Sequence, residues 1–331
     1  MSEPGQTEID SQKPVNNLDR LNSRIYVKGD LSGLHLNREN VVAECREVWL
    51  KQREDILKLP SWEVGLRMDR VDSFRESMGA PRKTLRILSP ENYAIANAIV
   101  GKDLGTEEGQ YLLEQDLIIV KRDPELELVN GGPDFIESLV IHEMAHSATD
   151  NSNIRIDVVP QRRFLRKTDA MVSSHAGRMG FVVTNDKGNA EGYFLEEGYA
   201  ELERGLYVTQ ILGKPNGFTG RPQSDFTSPI DKYNVFNKKG QWGLPPGSLP
   251  AITLELLIKH DSEFLSSLRK SRSSVEGLRE IIRHINAISP GLYQELRKIE
   301  DIKSKDGYAK SVNIAEKIAN ILSQNGSIAS S

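Results

Sequence analysis

Cysteine is almost absent from the chain, since Cys45 is the only one among 331 residues. The chain therefore cannot build a disulfide framework of its own, nor a zinc ribbon that takes its ligands from several cysteines. Cys45 lies at helical spacing from Val41 and Val48, and free cysteine is among the most buried residue types. We expect it to be a small core residue and not a nucleophile.

Long apolar runs and an excess of positive charge are also missing. Runs such as 117–120 are far too short to span a bilayer, and residues 1–20 lack the apolar core of a secretory signal. The formal net charge is -4, whereas a general nucleic-acid binder is usually basic. These absences predict a cytoplasmic protein that binds neither membranes nor nucleic acid.

The N-terminal part of the chain mixes helical and extended patterns. Residues 1–20 are polar and predict a disordered tail. Residues 37–57 predict a helix. Apolar and polar residues alternate from Trp62 to Met68, which predicts a half-buried strand. The other elements predicted in this part are strands at 84–88 and 117–120 and a helix from Ser89, a good N-cap, to Val100.

The rest of the chain has a mainly helical pattern. A helix is predicted from Pro133 to about Ala148, with the acidic residues Asp134 and Glu137 near its positive end. Residues 151–176 are polar and predict an irregular segment. The remaining predictions are a strand at 180–184, a helix at 192–212, a loop rich in glycine and proline at 213–250, and helices from 251 onward with a break at 289–291.

The first of these helices contains an HExxH motif, formed by His142, Glu143 and His146. Positions i and i+4 share a helix face, so the two imidazoles can bind one metal ion. Glu143 lies one position along and can reach a water molecule on that ion. The motif therefore predicts a zinc site with Glu143 as a base that does not bind the metal.

The third zinc ligand has to come from another segment, because a catalytic zinc site takes three protein ligands and keeps one position open. Metzincins place a histidine six residues and a glycine three residues after the second histidine. Here those positions hold Ser152 and Thr149, which excludes that arrangement. A glutamate on a following helix is the other option, and the segment Glu196-Glu197-Gly198-Tyr199-Ala200-Glu201 supplies it.

The sequence HEMAH followed by EEGYAE resembles the gluzincins, the thermolysin-like superfamily of zinc metallopeptidases. The resemblance covers His142 to Glu201 and hardly any of the rest of the chain. It implies that Glu197, directly before Gly-x-Ala, is the third zinc ligand and that Glu201 supports a zinc-binding histidine from behind. A helix turns by about 100° per residue, so only one of Glu196 and Glu197 can face the metal. We expect zinc to stay in place without Glu196.

The resemblance also implies an α+β fold with a zincin-like core. A small twisted sheet and the HExxH helix would form one half, and the second ligand helix with a mainly helical C-terminal half would form the other. The small residues Gly198 and Ala200 would let the two ligand helices approach closely. We therefore expect a catalytic domain over 21–250 and a helical region over 251–331 that packs on it.

The resulting hypothesis is zinc-dependent hydrolysis of peptide bonds in a peptide or protein substrate. His142, His146 and Glu197 would bind the zinc ion, and Glu143 would act as the general base. The strand predicted at 117–120 would offer a sheet edge along which an extended peptide binds.

Two other classes of function are open. A regulatory or structural protein could keep this fold without proteolysis. Glu143 argues against that reading, because a structural zinc site is closed by four ligands and needs no base. A protein-interaction module could instead use residues 251–320, and a large exposed apolar patch there would support it.

Overall fold

The computed structural model describes residues 25–29, 31, 37–101, 107–149, 152–161, 169–184, 190–214, 248–297 and 305–324. The predicted tail at 1–20 and nearly all of the predicted loop at 213–250 lie outside the described residues. The described residues form helices and two small sheets, which is the α+β class that the sequence predicts.

The N-terminal helices begin where the capping residues predict. The side chain of Asn37 accepts a hydrogen bond from the backbone N–H of Asn40 at 2.7 Å. The hydroxyl of Ser89 accepts one from the backbone N–H of Asn92 at 3.3 Å. Each bond satisfies one of the free N–H groups in a first helical turn. The helices of this part are α1 (Arg38–Leu57), α2 (Met68–Ser77), α3 (Pro90–Val100) and α4 (Pro124–Val129).

Three strands form a small mixed sheet. They are β2 (Thr84–Leu88), β3 (Gly109–Leu112) and β4 (Leu117–Lys121), in the order β2-β4-β3, with β2 parallel and β3 antiparallel to β4. Ile118 and Val120 of β4 lie in the main core, and Leu117 and Ile119 lie in a second apolar cluster. The strand is thus covered on both faces, which explains its continuous apolar run. The expectation that 117–120 forms a sheet edge is wrong, because β4 is the central strand.

A second sheet has five strands in the order β1-β5-β6-β7-β8. They are β1 (Ile25–Lys28), β5 (Asn153–Gln161), β6 (Asp169–Met179), β7 (Val182–Thr184) and β8 (Ala190–Glu191). Strands β5 and β6 pair antiparallel where the sequence predicts an irregular segment, so that prediction is wrong. The signal is present in the sequence, because the buried residues Ile154, Ile156 and Val158 alternate with polar ones.

The strand predicted from Trp62 to Met68 is a loop in the structure. The carbonyl groups of Trp62 and Val64 accept hydrogen bonds from the guanidinium of Arg122 at 3.0 and 2.7 Å, not from a neighbouring strand. Gly65 adopts a left-handed φ of 82°, which ends any extended path. The segment is therefore held by the buried Arg122 and by one backbone bond to β2, from the N–H of Trp62 to the carbonyl of Ile87 at 2.7 Å, and α2 begins at Met68.

Two long helices carry the predicted site residues. They are α5 (Pro133–Ser147), with the HExxH motif, and α6 (Tyr193–Gln210), with the second motif. Helix α5 is buried on nearly every side, because it lies between the three-stranded sheet and α6. Its buried Glu137 accepts hydrogen bonds from Arg70 of α2 and from the hydroxyl of Tyr207 of α6, both at 2.6 Å. These bonds fix the first half of α5 against both neighbours.

The described residues from 248 onward form five helices. They are α7 (Ser248–His260), α8 (Phe264–Lys270), α9 (Val275–Ile288), α10 (Leu292–Arg297) and α11 (Lys305–Gln324). The predicted break at 289–291 separates α9 from α10. The main hydrophobic cluster extends from Val71 through Val140 and Tyr199 to Leu322, so these helices share one core with α5. Among the described helices, none has an apolar stretch long enough to cross a bilayer.

Gly198 of α6 lies against α7 and not, as the sequence predicts, against α5. A Cβ atom at this position would overlap Pro250 and would lie 2.9 Å from the backbone nitrogen of Ala251. The missing side chain therefore allows α6 and α7 to approach closely.

Gly198→Ala should lower the stability of the protein, although alanine is the better helix former by about 1 kcal/mol. The added methyl group overlaps the start of α7, and overpacking of this kind costs roughly 1–3 kcal/mol. Thermal unfolding followed by circular dichroism checks this expectation. Thr209→Ala, at an exposed position of the same helix, is the control and should change little. An unfolding temperature of Gly198→Ala at or above that of the wild type would contradict the close packing.

Candidate metal centre

Helix α5 presents His142 and His146 one turn apart on the same face, as their spacing predicts. Their ring centroids are 4.9 Å apart, and their Nε2 atoms are 3.2 Å apart. The two side chains are only 13% and 7% exposed. Two ring nitrogens therefore converge at a place that is largely shielded from water.

Helix α6 brings Glu197 to the same place. One carboxylate oxygen lies 3.4 Å from Nε2 of His142, and the other lies 3.4 Å from Nε2 of His146. A tetrahedral zinc ion with ligand distances of roughly 2.0–2.1 Å would hold its ligand atoms about 3.4 Å apart. The two nitrogens are close to this spacing, and each has one of the two oxygens of Glu197 at it, so the three side chains can hold a metal ion.

Glu201 lies behind His142, four residues along α6 from Glu197. Its Oε1 atom is 2.9 Å from Nδ1 of His142. Arg204, one turn further on, lies 3.3 Å from the same carboxylate oxygen and also donates a hydrogen bond to the hydroxyl of Ser138 on α5 at 3.1 Å. The carboxylate that the resemblance assigns to histidine support thus contacts the ring nitrogen that faces away from the cluster.

Glu196 lies on the Nδ1 side of His146. The sequence does not predict this contact. Its Oε1 atom is 3.4 Å from Nδ1 of His146, and its Oε2 atom accepts a hydrogen bond from the backbone N–H of Phe181 at 3.0 Å. Arg272 binds both carboxylate oxygens. Neighbouring positions on α6 therefore contact opposite sides of one imidazole, with Glu197 at Nε2 and Glu196 at Nδ1.

Glu143 is buried beside the cluster but is not part of it. Its side chain lies against the first residue of β3, where a Cβ atom on Gly109 would be 2.8 Å from its Oε1 atom. The missing side chain at Gly109 makes room for the carboxylate at the end of the edge strand. Burial raises the pKa of Glu143 above its ordinary value.

The tyrosines of α6 separate into one at the cluster and two in the core. Tyr193, the first residue of the helix, is 44% exposed, and its hydroxyl interacts with the carboxylate of Glu197. Burial and the charge of Glu197 raise the pKa of Tyr193. Tyr199 and Tyr207 are fully buried, so Tyr193 is the one of the three that can meet a ligand.

The acids and imidazoles of the cluster shift each other's protonation. Burial by itself lowers the pKa of His142, but the charges of Glu201 and Glu197 outweigh burial and raise this pKa to about 9. Burial also lowers the pKa of His146, and Glu197 again outweighs it, so that pKa lies well above its ordinary value. Burial raises the pKa of Glu197, whereas His146 and His142 bring it well below its ordinary value. The metal-free cluster therefore holds protons where a metal ion would bind.

Comparison of the sequence with models of protein families and with curated proteins finds no match.

Metal affinity of this site should rise with pH. A metal ion binds deprotonated ligands, and the raised pKa values of His142 and His146 mean that these imidazoles hold protons more tightly than exposed ones in the metal-free protein. The apparent affinity for Zn²⁺ should therefore climb as the pH rises from mildly acidic toward about 9, the pKa of His142. Isothermal titration calorimetry in buffers of different ionisation enthalpy measures the protons released on binding. An affinity that stays constant from mildly acidic to mildly alkaline buffer would contradict this expectation.

Proposed function

We propose that this protein is a zinc-dependent peptidase in which His142, His146 and Glu197 bind the metal ion and Glu143 is the general base. The observation that supports it most is the convergence of three ligand side chains, at 3.2 to 3.4 Å, beside a buried carboxylate that is not one of them. Two imidazole nitrogens and one carboxylate suit zinc, and three ligands leave a position open for water or substrate.

A zincin-like core is part of this proposal. Helix α5 packs on a small sheet whose edge strand, β3, runs antiparallel to β4. The third ligand comes from a second helix, α6, that packs directly against α5. Both features support the resemblance to gluzincins that the two sequence motifs suggest.

The proposed reaction is the attack of a water molecule on the carbonyl carbon of a peptide bond. Zinc, when bound, would polarise the scissile carbonyl group and lower the pKa of a water molecule. Glu143 takes the proton from the attacking water and later passes it to the leaving amine. Since burial raises its pKa, Glu143 is a stronger base than an exposed glutamate.

The edge strand β3 offers a binding place for an extended peptide. In the described part of the chain β3 pairs with β4 alone, so no described strand pairs with its other edge. Backbone groups along such an edge can bind a peptide as an additional strand. Gly109 at the start of β3 touches Glu143, so a peptide bound along β3 would pass close to the general base.

The two alternative functions have less support. Among the described residues, three protein ligands converge, whereas a structural zinc site is closed by four. An interaction module in the C-terminal helices would need an exposed apolar patch. Among the described residues, the large apolar side chains that are well exposed all lie before residue 248. A peptide or protein substrate at the metal centre therefore remains our proposal.

Glu197→Ala should abolish tight zinc binding, because two histidines alone leave the site one ligand short. Zinc content after dialysis, measured by inductively coupled plasma mass spectrometry, checks this. Glu276→Ala is the control, since that glutamate is 74% exposed and lies outside the cluster. The ligand assignment fails if Glu197→Ala retains zinc with the affinity of the wild type.

Glu143→Gln should separate metal binding from catalysis. The exchange keeps the size of the side chain and removes the base, so zinc content and thermal stability should stay nearly unchanged. Hydrolysis of a peptide library should fall at least ~10²-fold, the lower range for loss of a general acid–base. A structural zinc protein would have no activity to lose in either form. A wild-type protein that binds zinc but cleaves no peptide in a broad library would contradict the proposed peptidase activity.

A further inference from the structure

Glu196 and Arg272 form an ion pair that is sealed from water. Nη1 of Arg272 is 2.5 Å from Oε2 of Glu196, and Nη2 contacts Oε1. The two side chains are 0% and 2% exposed. Arg272 lies in the turn between α8 and α9, so the pair connects the C-terminal helices with α6, which carries Glu197.

The residues around the ion pair restrict the positions of both side chains. The guanidinium of Arg272 lies over the rings of Tyr199 and Phe181, 4.6 and 5.6 Å from their centroids. Gly180 adopts a left-handed φ of 57°, and a Cβ atom there would overlap both Arg272 and Glu196. Together with the N–H of Phe181, these contacts hold the carboxylate in a fixed position.

That fixed carboxylate faces a candidate metal ligand. Oε1 of Glu196 is 3.4 Å from Nδ1 of His146, whose Nε2 atom points at Glu197. Arg272 also reaches the carbonyl oxygen of Ala145, the residue before His146, at 3.5 Å. The ion pair therefore touches both the ring and the backbone of the helical turn that presents His146.

Stability alone does not account for this pair. Removing two charges from water costs so much that an apolar pair of similar volume often stabilises a fold as well or better. A carboxylate at the second ring nitrogen of a metal-binding histidine has a different use. It fixes the tautomer and orientation of the ring and raises its basicity as a ligand.

We infer that Arg272 is a positioning residue of the metal centre, which holds Glu196 against His146 so that Nε2 stays directed at the metal ion. The inference rests on the proposed zinc site. His142 has an equivalent in Glu201 and Arg204, but that arginine lies on the same helix as its carboxylate. For His146 the counter-charge comes from the C-terminal part of the chain, which thereby completes the metal centre.

The double variant Glu196→Leu/Arg272→Met tests this inference, because it removes both charges and leaves no buried charge unpaired. Zn²⁺ affinity, measured by competition with a chromophoric chelator, should fall roughly 10–100-fold, the usual effect of losing such support. The visible absorption spectrum of the Co²⁺-loaded protein should shift as well, because His146 is free to turn. A purely structural role would leave that spectrum unchanged.

The matched control is Glu203→Leu/Arg269→Met. Arg269 of α8 binds Glu203 of α6 through two hydrogen bonds of 2.8 and 2.7 Å, and Glu203 is fully buried. This pair joins α6 to the C-terminal helices in the same way but makes no hydrogen bond or ion pair with His142 or His146. Its removal should leave Zn²⁺ affinity and the Co²⁺ spectrum as they are in the wild type.

The outcomes separate this inference from the proposed function. A wild-type protein that binds no Zn²⁺ overturns both. Zinc binding by the wild type with equal affinity in Glu196→Leu/Arg272→Met overturns only the role of Arg272, as does an equal loss in both double variants. If the first double variant does not fold, Arg272→Lys replaces it, with Arg269→Lys as its control. Lysine keeps the charge without the two-pronged contact, so weaker Zn²⁺ binding in Arg272→Lys alone supports the inference, and unchanged binding overturns it.

Discussion

The burial of charge between α5 and α6 is the constraint that the surrounding structure has to meet. A carboxylate taken out of water is costly unless it is paired and hydrogen bonded. Four of the buried glutamates on these two helices each meet an arginine; the pairs are Glu137–Arg70, Glu196–Arg272, Glu201–Arg204 and Glu203–Arg269. Glu197, on the same helix as three of them, faces two imidazoles instead. The proposed metal ion would supply a counter-charge to this glutamate.

The elements that the sequence predicts well have their signals close by in the chain. Asn37 and Ser89 start helices through bonds to residues three positions on. The alternation around Trp62 predicts a strand, but the segment is a loop. Its partner Arg122 lies 60 residues away, so the local sequence pattern contains no sign of this contact. The strand that begins at Asn153 was missed although its apolar residues alternate, since the polar residues around it dominate the composition.

The same distinction applies to the candidate site. The spacing of His142 and His146, and of Glu197 and Glu201, follows from helix geometry, and the structure brings these four side chains together. The contact between Glu196 and His146 depends on how α5 and α6 cross, which no spacing rule contains. Its arginine partner lies 76 residues further along the chain. The sequence therefore predicts the three candidate metal ligands and Glu201, the carboxylate at Nδ1 of His142. It does not predict that Glu196 lies at Nδ1 of His146.

The shared core bears on how this chain can be divided. Arg272 lies beyond residue 250, where the sequence predicts the end of the catalytic domain. A chain cut there would leave Glu196 buried without its counter-charge and would uncover Gly198, which packs against Pro250 and Ala251. Helices α5 and α6 and the C-terminal helices are therefore one packed unit. Recombination that exchanged either part alone would separate a buried charge from its partner, so relatives of this chain should keep, lose or replace both parts together.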